Sequence, residues 1–276
     1  MNKLIKYTTL ATFVCFAIAV ISIKSISTES FNKASLYFNK NFKNIDAGEM
    51  IDLVIDKDFD FTSEDKLKIN MTFGHLNLIP TQSNRIKTSL KSKIAKNRKI
   101  SLDNLIFKKG NQLVVDLQKA FDDDDSLIHF LKIADDSISI SNSLTLEIEI
   151  PEKFSSLDIN SVSVDIQIRG IQPQNIKINT VSGDTIFENV KTPQLSLNSV
   201  SGDFELLNST SNDINISTVS GDLEFHSSLP EKYKISFRGV SGDLSGQKDF
   251  ISDSGLDPAK KIKINTVSGN ARFYAN

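Results

Sequence analysis

Pairs of apolar residues separated by one polar residue recur through the second half of the chain. They are Ile176/Ile178, Leu195/Leu197, Ile214/Ile216, Ile235/Phe237 and Ile262/Ile264. Such alternation puts both members of a pair on one side of a β-strand. After a short polar break a second pair follows: Phe204/Leu206, Leu223/Phe225 and Ala271/Phe273. The first full copy departs here, with Thr185, Ile186 and Phe187. The break repeats almost word for word: TVSGD at Thr180–Asp184, SVSGD at Ser199–Asp203, TVSGD at Thr218–Asp222, GVSGD at Gly239–Asp243 and TVSGN at Thr266–Asn270. An earlier copy, from Leu157 to Asp165, keeps the alternation but lacks the glycine.

Each unit reads as strand, tight turn, strand and return loop. Gly183, Gly202, Gly221, Gly242 and Gly269 are the structural turn residues, expected to supply positive φ. The Asp or Asn after each is expected to bond local backbone. A single coil buries too few side chains to offset the entropy of ordering its backbone. Stacking pairs its N–H and C=O groups with those of its neighbours and closes the core. The expected fold is all-β, a single-stranded parallel β-solenoid (β-helix) of about 19-residue coils, preceded by one N-terminal hydrophobic helix. A hairpin sandwich is the alternative, but it gives no reason for identical turns at identical places.

Leu67–Pro80 alternates around Gly74, Asn104–Gln118 reads as a hairpin about Lys108–Asn111, and Ser137–Pro151 alternates cleanly. Ile51–Phe61 reads as an edge or lead-in strand. Residues 86–99 are basic, either a solvated strand and loop or a patch for anionic lipid or cell-wall polymer. At the N-terminus, Lys3 and Lys6 precede an uncharged stretch from Tyr7 to Ile23. Its length lies between a signal-peptide core and a membrane span. Residues 1–24 are therefore a signal anchor or a signal peptide, residues 25–64 a juxtamembrane spacer and residues 65–276 the β-solenoid repeat domain. The chain contacts the membrane through residues 7–23 if they are not cleaved. The rest is exported, to the periplasm or cell surface, with the N-terminus held at the inner (cytoplasmic) membrane.

The net charge of −2 and pI near 6.0 argue against a nucleic-acid partner. The single cysteine, Cys15, allows no internal disulfide and no cysteine metal site. His75, His129 and His226 show no paired ligand spacing. No catalytic constellation and no cofactor motif is expected. In stacked coils Asp184, Asp203, Asp222 and Asp243, ending in Asn270, would line one edge. They are weak calcium candidates, with turn chemistry as the simpler reading. The run Asp122–Asp125 is a polar loop or a second weak calcium candidate. Thr180, Ser199, Thr218 and Thr266 would form a neighbouring strip.

The repeated [TS]-V-S-G-D, flanked by I-x-I before and L-x-F after and following a membrane-type segment, resembles the bacterial "putative adhesin" β-strand-repeat family, a domain of unknown function. The resemblance covers roughly residues 65–276 and is strongest over 157–276. It implies an extracytoplasmic β-solenoid and brings no catalytic residues. The expected function is a non-enzymatic cell-envelope module, adhesin-like, that binds an envelope polymer or envelope protein. Alternatives are a structural protein assembling end to end and a carbohydrate-active β-helix enzyme using Asp184, Asp203 and Asp222 with Lys177.

Overall fold

The computed structural model describes residues 50–95, 105–117, 144–228, 232–251 and 260–275. The N-terminal hydrophobic segment, Asp122–Asp125 and His129 lie outside the described residues. Among the described residues no helix is long and apolar enough to cross a membrane.

Strict alternation over two long segments builds the frame. β2 (Lys66–Thr81) and β7 (Ser156–Arg169) run side by side in parallel, Leu67 beside Leu157 and Leu78 beside Ile168. Both cross from one sheet into a second. The first halves of β2 and β7 lead into β8 (Asn175–Asn179), β10 (Lys191–Asn198) and β12 (Thr210–Ser217), all parallel. Their second halves lead into β9 (Thr185–Glu188), β11 (Phe204–Leu207) and β13 (Leu223–Ser227), also parallel. The chain thus winds through two facing sheets, one coil per repeat, as a solenoid.

In-register stacking makes columns of like residues. Ile69, Ile159, Ile178, Leu197, Ile216 and Ile264 follow one another across the first sheet, all with no exposed surface. Across the second run Ile168, Phe187, Leu206, Phe225 and Phe273. The Phe225 and Phe273 rings stack at 4.4 Å with 3° between their planes. The irregular copy obeys the same rule, because Thr185 and Phe187 are buried and Ile186 faces outward.

The stack departs from the sequence-based expectation in two respects. It is not parallel throughout. β1 (Met50–Asp60) pairs antiparallel with β3 (Arg85–Ala95), which pairs antiparallel with β6 (Thr145–Pro151). β4 (Ile106–Lys109) and β5 (Gln112–Asp116) form the expected hairpin, with β5 parallel to β2. The coils also do not stack in chain order. β12 and β13 pair with β16 (Lys261–Ser268) and β17 (Ala271–Ala275), the last repeat. β14 (Lys234–Ser241) and β15 (Leu244–Ser245), the fourth repeat, lie beyond it. The last repeat is therefore inserted between the third and the fourth. Residue burial follows the order: Ile262 and Ile264 in the interior layer are buried, whereas Ile235, Phe237 and Leu244 in the outer layer are only partly so. The more regular apolar copy takes the interior layer.

Candidate functional site

The corner between the sheets carries the V-S-G-D phrase. Ser163, Ser182, Ser201, Ser220 and Ser268 bridge one another in parallel as a continuous column. Positive φ at the glycines holds only in part, at Gly183 (+100°) and at its upstream equivalent Gly74 (+105°). At Gly202, Gly221, Gly242 and Gly269 the requirement is space. A Cβ at each would strike the carbonyl oxygen of the neighbouring glycine in the next layer: Gly183, Gly202, Gly269 and Gly221 respectively. Backbones meet there with no room between them.

The aspartates do not bond their own turn, contrary to the sequence-based expectation. The Oδ1 atoms of Asp165, Asp184, Asp203, Asp222 and Asn270 each accept the backbone N–H of the counterpart one layer on. Asp165 Oδ1 accepts from Asp184 at 3.2 Å, Asp184 from Asp203 at 3.0 Å and Asp203 from Asp222 at 2.7 Å. Asp222 accepts from Asn270 at 2.8 Å, and Asn270 from Asp243 at 3.0 Å. Asn270 thus stands within the column and does not end it. At the other end His75 occupies the Asp position, its Nδ1 3.5 Å from Asp165 Oδ2. Extended corner backbone leaves N–H groups without ladder partners, and the short carboxylate chain supplies one at each layer.

Asp222 is the most heavily engaged member. The Asn270 backbone N–H holds its carboxyl below the usual carboxylate range, against burial, with help from Arg272 and the Asn270 side chain. Arg272 Nη1 lies 2.8 Å from Asp222 Oδ2 and 3.2 Å from Glu224 Oε1.

Beside the corner, a second ladder runs inside the first sheet. Asn160 Nδ2 donates to Asn70, Asn179 to Asn160 and Asn198 to Asn179, at 3.2, 2.9 and 3.0 Å. Asn265 lies further along the same row, beyond Ser217. Thr180, Ser199, Thr218 and Thr266 are buried beneath the turn, so they form no surface strip.

What remains open is a groove of about 650 Å³ along the corner. Its walls are Ser201, Ser220, Ser268 and Ser241 on one side and Asp203, Asp222, Asn270 and Asp243 on the other, with the glycine backbones as floor. Asp184 lines it at the Asp203 end of the row. The Oδ1 atoms of Asp184, Asp203 and Asp222 are committed to backbone N–H groups. Lys177 sits elsewhere, exposed on β8 between Asp158 and Ser196. Of the basic stretch, Lys87 and Lys91 are exposed on β3, and Lys87 lies 3.7 Å from Glu149.

The family model described as Toastrack DUF4097 matches residues 64–273, nearly the whole span from β2 to β17. The chain belongs to this family. The Toastrack DUF4097 match starts where the parallel frame starts, so β1 precedes it. No curated protein matches the chain. Among solved structures it is similar to a "putative cell adhesion protein" from Clostridium sporogenes, at 14% identity and TM-score 0.38, covering 82% of this chain and 100% of that one. It is also similar to a "putative adhesin" from Bacteroides fragilis, at 12% identity and TM-score 0.33, covering 80% of this chain and 97% of that one. A third, from Parabacteroides distasonis, stands at 8% identity and TM-score 0.35, with 80% and 97% covered.

One cluster escapes a reading along the sequence. Glu205, Glu224 and His226 converge on the outer face of the second sheet of this Toastrack DUF4097 domain. The signal was present as two glutamates 19 residues apart, one coil length, with a histidine two places after the second. Counting histidine spacings misses it, because the partners come from neighbouring coils.

Proposed function

We propose that the chain is a non-enzymatic, exported envelope protein, an adhesin-like module that holds a linear polymer in the corner groove. The observation that carries this reading is the repetition of one Ser–Gly–Asp set layer after layer. Parallel strands repeat about every 4.8 Å, so the groove offers a serine hydroxyl at a fixed interval, with a carboxylate beside it in every layer but that of Asn270. A periodic ligand meets equivalent partners along its length, and many weak contacts add by multivalency. The Oδ2 atoms of Asp184 and Asp203 favour a polymer that donates hydrogen bonds and carries amines, such as a partly deacetylated amino-sugar chain, whereas that of Asp222 is held by Arg272. In this reading residues 7–23 hold the protein at the membrane and the solenoid stands outside it.

Co-sedimentation of the full chain with insoluble amino-sugar polymers tests the groove. Retention on the amine-bearing form, little on the fully acetylated form, and loss in Asp184→Asn/Asp203→Asn with unchanged circular dichroism are expected. Equal retention of that variant contradicts the groove as the site.

A second reading, end-to-end assembly, draws on β14. Among the described residues this outermost layer pairs on one side, with β16, and its Val240 is 57% exposed. Sedimentation across a hundredfold range of concentration separates the two, since assembly through β14 raises the mass and Val240→Lys suppresses it.

A further inference from the structure

We infer that Glu205, Glu224 and His226 form a binding site for a zinc-class divalent cation. These residues come from adjacent parallel strands: β11 gives Glu205, and β13 gives Glu224 and His226. Glu205 and Glu224 are direct register partners, and residue 226 shares their outward face by the two-residue strand period. His226 Nε2 lies 3.3 Å from Glu224 Oε2 and 3.8 Å from Glu205 Oε1. One ligand atom from each residue fits within a span of 4.8 Å. A tetrahedral ion with bonds of about 2.1 Å sets its ligands roughly 3.4 Å apart, so only small side-chain rotations are needed.

The surroundings hold the donors in place. The His226 ring stacks on Tyr274 of β17, with centroids 4.5 Å apart and 17° between planes. That contact fixes the imidazole while its Nε2 faces the carboxylates. Arg272 takes Glu224 by Oε1, leaving Oε2 directed at His226. Both contacts orient the donors, as outer-shell partners do in metal sites, although the Arg272 charge also offsets part of the Glu224 charge.

Charge points the same way. Like charges directly opposite on neighbouring strands are destabilising; Glu205 faces Glu224, and among the described residues Arg272 reaches Glu224 but no lysine or arginine bridges the pair. Counting Asp222, Glu205 and Glu224 against Arg272 leaves two negative charges, which a dication neutralises. All three ligands are only half-buried, so water completes the coordination sphere. An imidazole with two carboxylates selects zinc-like borderline ions over calcium or magnesium, which prefer all-oxygen sites.

Isothermal titration of zinc chloride into the chelator-stripped full chain tests the site. One binding event, a raised melting temperature and no such shift with calcium are expected. Glu205→Gln and His226→Asn should each weaken binding by more than about 10-fold, the lower range for loss of a mere orienting partner. Visible absorption of the cobalt-loaded protein should disappear in His226→Asn. Glu205→Gln is near-isosteric and half-exposed, so it tests the site even if His226→Asn folds poorly. Absence of zinc binding, or binding unaltered in both variants, overturns the assignment and leaves only the contacts between His226 and its glutamates.

Discussion

The backbone N–H of Asp222 donates to Oδ1 of Asp203 at 2.7 Å, joining two coils that are 19 residues apart in sequence. The same bond recurs up the corner, so the recurrent aspartate staples one layer to the next. Asp203→Ala removes a carboxylate acceptor at an exposed site and should cost about 1.5 kcal/mol in chemical denaturation, the low end for a hydrogen bond to a charged group. Asp203→Asn should keep most of the stability, because Asn270 already plays this part toward Asp243. Equal losses in the two variants would mean that charge and not the bond carries the effect.

Gly221 and Gly110 separate two reasons for glycine. A Cβ at Gly221 strikes the Gly202 carbonyl, and neither backbone can retreat inside the stack. Gly221→Ala should cost about 3 kcal/mol or more. Gly110 has φ +60° in the β4–β5 turn with open space around it. Gly110→Ala should therefore cost only about 1–2 kcal/mol from its left-handed backbone. Thermal melts of both variants check the difference.

Ile216 lies between Leu197 and Ile264 with no exposed surface. Ile216→Asp places an unpaired charge there, at a cost above about 4 kcal/mol. Loss of the cooperative melt is expected, and an unchanged melting temperature would contradict the column.

Acid should weaken the Asp222 staple. Its folded pKa lies below the ordinary value, so the folded state holds fewer protons than the unfolded chain. The associated stability is fully present above about pH 4 and is lost as pH falls through the folded pKa. Asp222→Asn lacks this contribution. Its deficit against the natural chain should be largest near neutrality and narrow below about pH 4, as read from melting temperatures between pH 7 and 3.

Much of the frame was legible because period-2 alternation fixes which side chains turn inward. Ile176/Ile178, Leu223/Phe225 and their equivalents all point into the core, and Phe73-Gly74-His75 does stack on the repeat corner. Stacking order was not legible. Sequence distance says nothing about which of two similar copies, Ile235/Phe237 or Ile262/Ile264, fits the third coil better. The second corner was also missed. Gly170, Asn189 and Asn208 recur at 19-residue intervals with φ of +61°, +55° and +47°. Asparagine tolerates that left-handed conformation, but beside the louder V-S-G-D phrase it reads as an ordinary loop residue. The Asp column was visible as a row, yet its bonding was not, since each partner lies a full coil away.

The order of the last two repeats is the most exposed feature of this fold. In a Cys15→Ser background, the pair Asn215→Cys with Lys263→Cys occupies register partners on β12 and β16. Adjacent strands bring such Cα atoms to about 4.8 Å, within the roughly 4.4–6.8 Å range a disulfide spans. Stacking in chain order would place Ser236 there instead. Mild oxidation should cross-link the 215/263 pair within one chain and leave an Asn215→Cys/Ser236→Cys pair reduced. Cross-linking of 215 with 236 and not with 263 would contradict the insertion of the C-terminal repeat and the corner column built on it.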